Sequence, residues 1–290
     1  MRIHTFSIVA YSESEASWGV AVASKFPAVG AVVPWARADV GAVATQSYAK
    51  MGFGPDGLAL MQGGAAAGEA LQSLLDADPM RASRQVALVD AQGRVAAHTG
   101  ADCHNWAGHR LGDGFSVQGN LLTGEAVIDA MATAFMRSEG ELADRLVTAL
   151  RAGEYAGGDR RGKQSAAVQV VRPNGGYGQD TDRYLDLRVD DHAEPVARLG
   201  ELVQMHHLYF QPPKPEDAVR IDGDIARELQ AMMIGQGYMT GEINGVWDEV
   251  CQQVFAMLIG NENLEMRWSL KKNRGAVDRV ALDYLRERFG

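Results

Sequence analysis

Two stretches of the sequence concentrate residues that could do chemistry. In Gly157-Gly158-Asp159-Arg160-Arg161-Gly162-Lys163, the glycines let backbone amides approach a ligand closely, and Arg160, Arg161 or Lys163 could neutralise an anion there. The stretch lacks the Gly-Lys-Ser/Thr ending of a phosphate-binding loop, so it does not point to a nucleotide. A tight, solvent-facing turn between a helix and a strand would use the same residues, and Asp159 is the residue whose loss separates the two readings. The second stretch runs from His98 to His109 and holds His98, Cys103, His104 and His109. Zinc needs three or four such ligands converging at ~2.0–2.3 Å, and this spacing matches no zinc motif, so a hydrogen-bonded loop is expected and no metal. Asp222-Gly223-Asp224 and the loop at 241–249 lack the full series of oxygen ligands of a calcium loop. No cofactor is expected. Gln46, Asn120 and Ser165 stand at strand ends or turns, where their side chains could hydrogen-bond a carbonyl or simply close the turn.

Strands must carry most of these groups. Ile3, Thr5, Ser7 and Val9 alternate with His4, Phe6, Ile8 and Ala10, and a period of two puts each set on its own face. Further strands are predicted at 18–23, 30–35, 41–46, 85–89 and 95–98, then a return to strands at 165–171 and 184–189. A helical stretch reaches to about Leu75. Two helices follow, marked by Val127, Met131 and Phe135 and by Leu142, Leu146 and Leu150, and a last one carries Val196, Leu199, Val203 and Phe210 on one side. Strands, paired helices and strands again argue for segregated layers rather than a parallel βαβ repeat. The expected fold class is α+β, two antiparallel sheets with helices on their outer faces.

Gln211-Pro212-Pro213-Lys214-Pro215 reads as a linker, because proline holds the chain extended and blocks a helix. It divides the chain into a domain at 1–211 and a small helical one at 212–290. The latter has Ile225, Leu229 and Met232 at helical spacing, then helices including Val250, Val254 and Leu258 and including Val277, Leu282 and Leu285. A bundle of about 70 residues is near the lower limit for independent stability, so it is expected to lean on the large domain or on another chain, as in a homodimer.

The 290 residues are 46% hydrophobic and 22% charged, too apolar for a disordered chain. Acidic residues outnumber basic ones by 37 to 28, and a net charge of -9 with no Lys/Arg run argues against nucleic acid as a partner. Cys103 and Cys251 cannot build a disulfide framework. No apolar stretch approaches the ~20 residues of a membrane span, and Met1-Arg2-Ile3-His4 has no signal-peptide core, so a cytoplasmic protein without a membrane partner is expected.

Thr5-Phe6-Ser7-Ile8-Val9-Ala10, 19–25, 41–46, His98-Thr99-Gly100, Gln118-Gly119-Asn120, 156–162 and Asp190-Asp191-His192 together resemble the bacterial family of unknown function DUF1028. The resemblance runs from about Thr5 to His206. It implies the N-terminal-nucleophile (Ntn) hydrolase fold, a four-layer αββα sandwich, and supplies no established reaction; the leading expectation is an amide-bond hydrolase acting on a small or peptide-like molecule. In Ntn enzymes the first residue is Thr, Ser or Cys, and its own α-amine, with a pKa near 8, takes the proton from the attacking group. Thr5 would fill that role here, with Ser7 in reserve on the same strand face. Four residues precede Thr5, and an amide nitrogen within the chain is not a base, so catalysis by Thr5 requires their removal. The resemblance further implies a charged residue near the nucleophile, for which Lys25 is the candidate, with Asp159 shaping the pocket. Gln46, His98, Asn120, Gly158, Arg160 and Ser165 are the candidate substrate contacts. A non-catalytic protein that keeps the fold is the competing expectation.

Glu228-Leu229-Gln230, 235–238 and 241–247 resemble small helical peptidoglycan-binding domains. That resemblance implies stacking of Tyr238 and Trp247 on sugar rings, whereas a small bundle also needs such side chains in its core. Peptidoglycan fragments or precursors are the expected partner.

Overall fold

The computed structural model describes residues 4–290; Ile3, assigned above to the first strand, lies outside the described residues. By its contacts the chain divides into two compact units, one ending at Val203 and one spanning Gln204–Gly290. The division falls ahead of the proline run at 212–215.

In the first unit β1 (Phe6–Ser12) and β2 (Ser17–Ser24) are followed by β3 (Pro34–Arg37), β4 (Gly41–Ser47), α1 (Phe53–Gln62) and α2 (Ala67–Asp76). Then come β5 (Arg84–Asp90), β6 (Val95–Thr99), β7 (Gly108–Gly112), β8 (Phe115–Gly119), α3 (Ala126–Arg137) and α4 (Leu142–Tyr155). The series ends with β9 (Ser165–Val171), β10 (Arg183–Val189) and the start of α5 (Pro195–Phe210), whose residues from Gln204 on belong to the second unit. The strands form two antiparallel sheets, of order β10-β9-β2-β1-β8-β7 and β3-β4-β5-β6.

Alternation along each strand sorts the side chains into separate cores. Phe6, Ile8 and Ala10 of β1 pack with Met131, Phe135, Leu146 and Leu150 of α3 and α4. Their neighbour Val9, with Val20 and Val22 of β2, turns the other way onto Ala42, Ala44, Ala87 and Val89 of the second sheet. The far face of that sheet, Val43, Val86 and Leu88, is covered by Phe53, Leu58, Leu71 and Leu74 of α1 and α2. Glycine sets the spacing of the helical layer. A Cβ on Gly19 of β2 would come within 2.6 Å of Leu146, and one on Gly153 of α4 within 2.6 Å of Met131.

Several elements differ from the sequence expectation. The strand expected at 30–35 starts only at Pro34, after a 3₁₀ turn at Val29–Ala31; β3 is an edge strand, where a proline costs no ladder bond. The helical stretch before Leu75 is two helices, broken where Gly64 takes a φ of +101°. β7 and β8, of five residues each, were not among the expected strands, although Phe115 and Val117 of β8 alternate with Ser116 and Gln118. Val196, Leu199 and Val203 are buried as expected, but Phe210 is exposed.

The second unit holds β11 (Ala218–Arg220), α6 (Gly223–Gly235), α7 (Glu249–Asn261), β12 (Ala276–Asp278) and α8 (Arg279–Phe289). It is not purely helical. Val277, expected in a helix, lies in β12 opposite Val219 of β11. Leu229, Phe255, Leu258, Trp268 and Leu282 form its core, and Val250 is exposed rather than packed. Among the described residues no helix is long and apolar enough to cross a membrane.

Leu146 is fully buried at the junction of α4 and β2. Leu146→Ala is expected to cost about 2–5 kcal/mol, by lost burial and the cavity left behind, measured as a fall in the urea midpoint.

Candidate functional site

Where the inter-sheet layer approaches the start of β1, its apolar packing gives way to a buried network of carboxamides. Gln85 of β5 is its centre. Its Nε2 donates to the carbonyls of Gly119 (2.7 Å) and Gly108 (3.1 Å) and lies 3.0 Å from Thr99 Oγ1. Carbonyls only accept, so this amide can point only one way. Its Oε1 then receives Gln46 Nε2 at 2.8 Å and Asn120 Nδ2 at 2.9 Å. The orientation passes outward from there. Gln46 Oε1 accepts the Ser7 hydroxyl at 2.7 Å, and Asn120 Oδ1 is left to face His4 Nδ1 at 2.7 Å. Since Asn120 Oδ1 cannot donate, Nδ1 of His4 must carry the hydrogen.

Ser7 is fully buried, donates to Gln46 and accepts from Gln118 Nε2 at 2.7 Å. Amides on both sides leave it without a hydrogen-bonded base to take its proton. Thr5, also fully buried, donates its hydroxyl to the carbonyl of Ala23, and its own carbonyl accepts from the Asn120 backbone N–H at 3.0 Å.

The peptide bond before Thr5 is held as tightly. The His4 carbonyl oxygen receives the Ser24 hydroxyl at 2.5 Å and Arg161 Nη2 at 3.0 Å. Arg161 is anchored by Asp159, with Nε on Oδ1 at 3.1 Å and Nη2 on Oδ2 at 2.7 Å. Asp159, buried, also accepts the backbone N–H groups of Lys25 (3.0 Å) and Arg161 (2.9 Å). The turn that carries it needs glycine, because Gly157, Gly158 and Gly162 have φ of +116°, +53° and +109°. Ala23, Ser24, Gly157, Gly158 and Asp159 line a cavity of about 90 Å³ beside these groups.

The structure thus brings Thr5, Asp159, Asn120, Gln46 and Gly158 to one end of the inter-sheet layer. Other candidates lie elsewhere or act differently. Lys25 reaches Asp159 only through its backbone, while its ammonium donates to the Lys163 carbonyl at 3.2 Å on the exposed side. Arg160 turns to the Leu122 carbonyl at 3.2 Å, so Arg161 is the cation beside His4. Ser165 ties the chain after β2 by donating to the Phe26 carbonyl and accepting from Val29 N–H at 3.1 Å. His98, on β6, faces the Arg81 carbonyl at 2.9 Å instead of the start of β1. From the stretch around His98, His104 is the residue that reaches the site: its ring meets that of His4 edge-on, with centroids 4.7 Å apart, and stacks on Tyr48. In the second unit Tyr238 and Trp247 pack half-buried against the helical core, and Trp247 Nε1 donates to the Arg274 carbonyl at 2.7 Å.

Sequence reasoning missed His4, Ser24, Gln85 and Gln118, and weighed His104 only as a metal-capable residue. The usable signal was the recurrence of glutamine at strand positions: Gln46 lies opposite Gln85, and Ser7 opposite Gln118.

Burial lowers the pKa of the His4 imidazole from its ordinary 6.5, with Arg161 and His104 adding to the effect and Asn120 and Asp159 opposing it. The unfolded chain therefore takes up this proton first, so the contribution of His4 to stability is complete above about pH 6.5 and declines as pH falls through the folded-state value. The urea midpoint is expected to fall between about pH 7 and about pH 5, and His4→Gln to flatten that decline. Gln85→Leu would strip partners from Gln46, Asn120 and two carbonyls. At about 1–3 kcal/mol per stranded group, it is expected to lower the thermal midpoint by roughly 10 °C or more, read by calorimetry.

Comparison with known proteins agrees with this architecture. The family model described as a family of unknown function (DUF1028) matches residues 5–199, and one described as "Putative peptidoglycan binding domain" matches 209–285. The crystal structure of a Silicibacter pomeroyi protein assigned to DUF1028 superposes with a TM-score of 0.65 at 30% identity, covering 70% of this chain and 89% of that one. Anbu (ancestral beta-subunit) from Yersinia bercovieri aligns over 72% of this chain and 99% of its own, but at 11% identity and a TM-score of 0.32, too weak a likeness to say anything of this chain. No curated protein matches. A match over most of the first unit, together with a solved relative of the same fold, makes this chain a member of the DUF1028 family.

Proposed function

We propose that the first unit is an amide-bond hydrolase of the Ntn type, with Thr5 as nucleophile once the chain begins there. The stacking of α3 and α4, two sheets, and α1 and α2 supports reading the unit as the four-layer αββα sandwich of that class. One observation carries the chemical reading: the carbonyl of the bond that must break to free Thr5 already holds two donors, Ser24 Oγ and Arg161 Nη2. Donors aimed at a carbonyl oxygen stabilise the oxyanion that forms when its carbon is attacked. After loss of residues 1–4 the same pair would face the carbonyl of a substrate.

The steps balance without a cofactor. The Thr5 α-amine takes the proton from Oγ, and Oγ bonds to the substrate carbonyl carbon. As the C–N bond breaks, the ammonium returns its proton to the leaving amine. Water then splits the ester, releasing a carboxylic acid and restoring the Thr5 hydroxyl. Asp159 does not touch the substrate in this scheme; it positions Arg161. Ser7 and Lys25 take no part.

The match of 209–285 supports a second role, peptidoglycan-fragment binding by the second unit. Muropeptide binding by the full chain, against Trp247→Ala and Tyr238→Ala, tests it; equal binding by all three would count against any role for these side chains.

Mass spectrometry of the purified protein is expected to find a species beginning at Thr5. A chain produced to begin at Thr5 is expected to cleave members of an aminoacyl p-nitroanilide series, with Thr5→Ala inactive and Arg161→Met slower by about 10²–10³-fold. An unprocessed N-terminus together with an inert Thr5-first chain would favour the non-catalytic alternative.

A further inference from the structure

His4 occupies the place of an acyl group. Its carbonyl carbon is the acyl carbon of the bond that must break to free Thr5, so its side chain marks where the side chain of an acyl substrate would lie. This rests on the Ntn reading above. The walls of that place are well defined. His4 is 7% exposed, its Nδ1 lies 2.7 Å from Asn120 Oδ1, and His104 closes one side with its ring edge-on. Nε2 of His104 is buried with no hydrogen-bond partner among the described residues.

The Asn120 oxygen is an acceptor that cannot be turned round. Reversing its amide would aim a donor at His4 and an oxygen at Gln85 Oε1, and Gln85 is itself locked by the carbonyls of Gly108 and Gly119. We infer that the space filled by His4 is a selectivity pocket for acyl groups whose side chain ends in a neutral, planar hydrogen-bond donor, an imidazole or a carboxamide. A carboxylate offers Asn120 Oδ1 only lone pairs, and an aliphatic chain leaves that buried oxygen unpaired. Sites built around a buried polar group discriminate strongly against ligands that fail to pair it. The depressed basicity of His4 in this place agrees with a preference for the neutral ring.

The test uses the full chain beginning at Thr5 and the p-nitroanilides of histidine, glutamine, glutamate and leucine. The histidine and glutamine compounds are expected to show kcat/KM at least about tenfold above the other two, and Asn120→Leu to erase the difference. Equal rates, or faster cleavage of the leucine or glutamate compound, would overturn the pocket and leave the hydrolase reading standing. If none is cleaved, the hydrolase reading fails and binding decides the pocket. N-acetylhistidine methylamide is expected to bind the Thr5-first chain, followed by NMR, more tightly than N-acetylleucine methylamide. Equal or absent binding would overturn the pocket as well. Because Asn120→Leu disturbs the buried network, Asn120→Asp serves as the second variant: it keeps the shape while releasing the Gln85 bond, and an unchanged preference for the donor compounds at neutral pH would support the retained oxygen as the selecting atom.

Discussion

Burying carboxamides between two sheets imposes a condition that apolar packing does not: every donor must meet an acceptor, and an amide that points the wrong way wastes both. Around Gln85 this condition has one solution, because two of the groups its nitrogen meets are backbone carbonyls. The orientation of Gln46 and Asn120 follows, and with it the state of Ser7 and the tautomer of His4. The chemistry available at the start of β1 is therefore set by the backbone of β7 and of its ladder partner β8.

A second fixed element meets the first at His4. Three left-handed glycines let the chain between α4 and β9 fold back so that Asp159 is buried and Arg161 returns over it. The pair is neutral as a whole, yet it presents one guanidinium nitrogen to the His4 carbonyl. A lysine ammonium would lack the fork by which Asp159 grips Arg161 on two nitrogens. Carbonyl polarised on one side, imidazole held on the other: the residue before Thr5 is gripped at both ends.

Much of the scaffold was legible in the sequence. Period-two runs located β1, β2, β4 and β5, and four-residue spacing located α3 and α4, because each carries a run of apolar residues at the period of its element. Legibility failed where the inward face is polar. β8 went unassigned, and the Ser116 and Gln118 that it turns to the interior in place of apolar groups are part of what makes the site. Asp159 could be named because a Gly-rich turn leaves a local mark, and Thr5 through the family resemblance. Gln85 and Ser24 leave none; their roles appear only when register sets Gln85 beside Gln46 and Ser24 beside Ser165. Choosing Arg160 over Arg161 was a choice between neighbours that only the turn geometry could make.

The polarity of the amide network is the claim on which the account of this site rests, and the tautomer of His4 reports it directly. Nitrogen-15 NMR of the imidazole in the unprocessed protein, kept so where needed by Thr5→Ala, should show near neutral pH a protonated Nδ1 and a bare Nε2. A protonated Nε2 with a bare Nδ1 would mean that Asn120 donates rather than accepts, and would contradict the orientation assigned to the whole network.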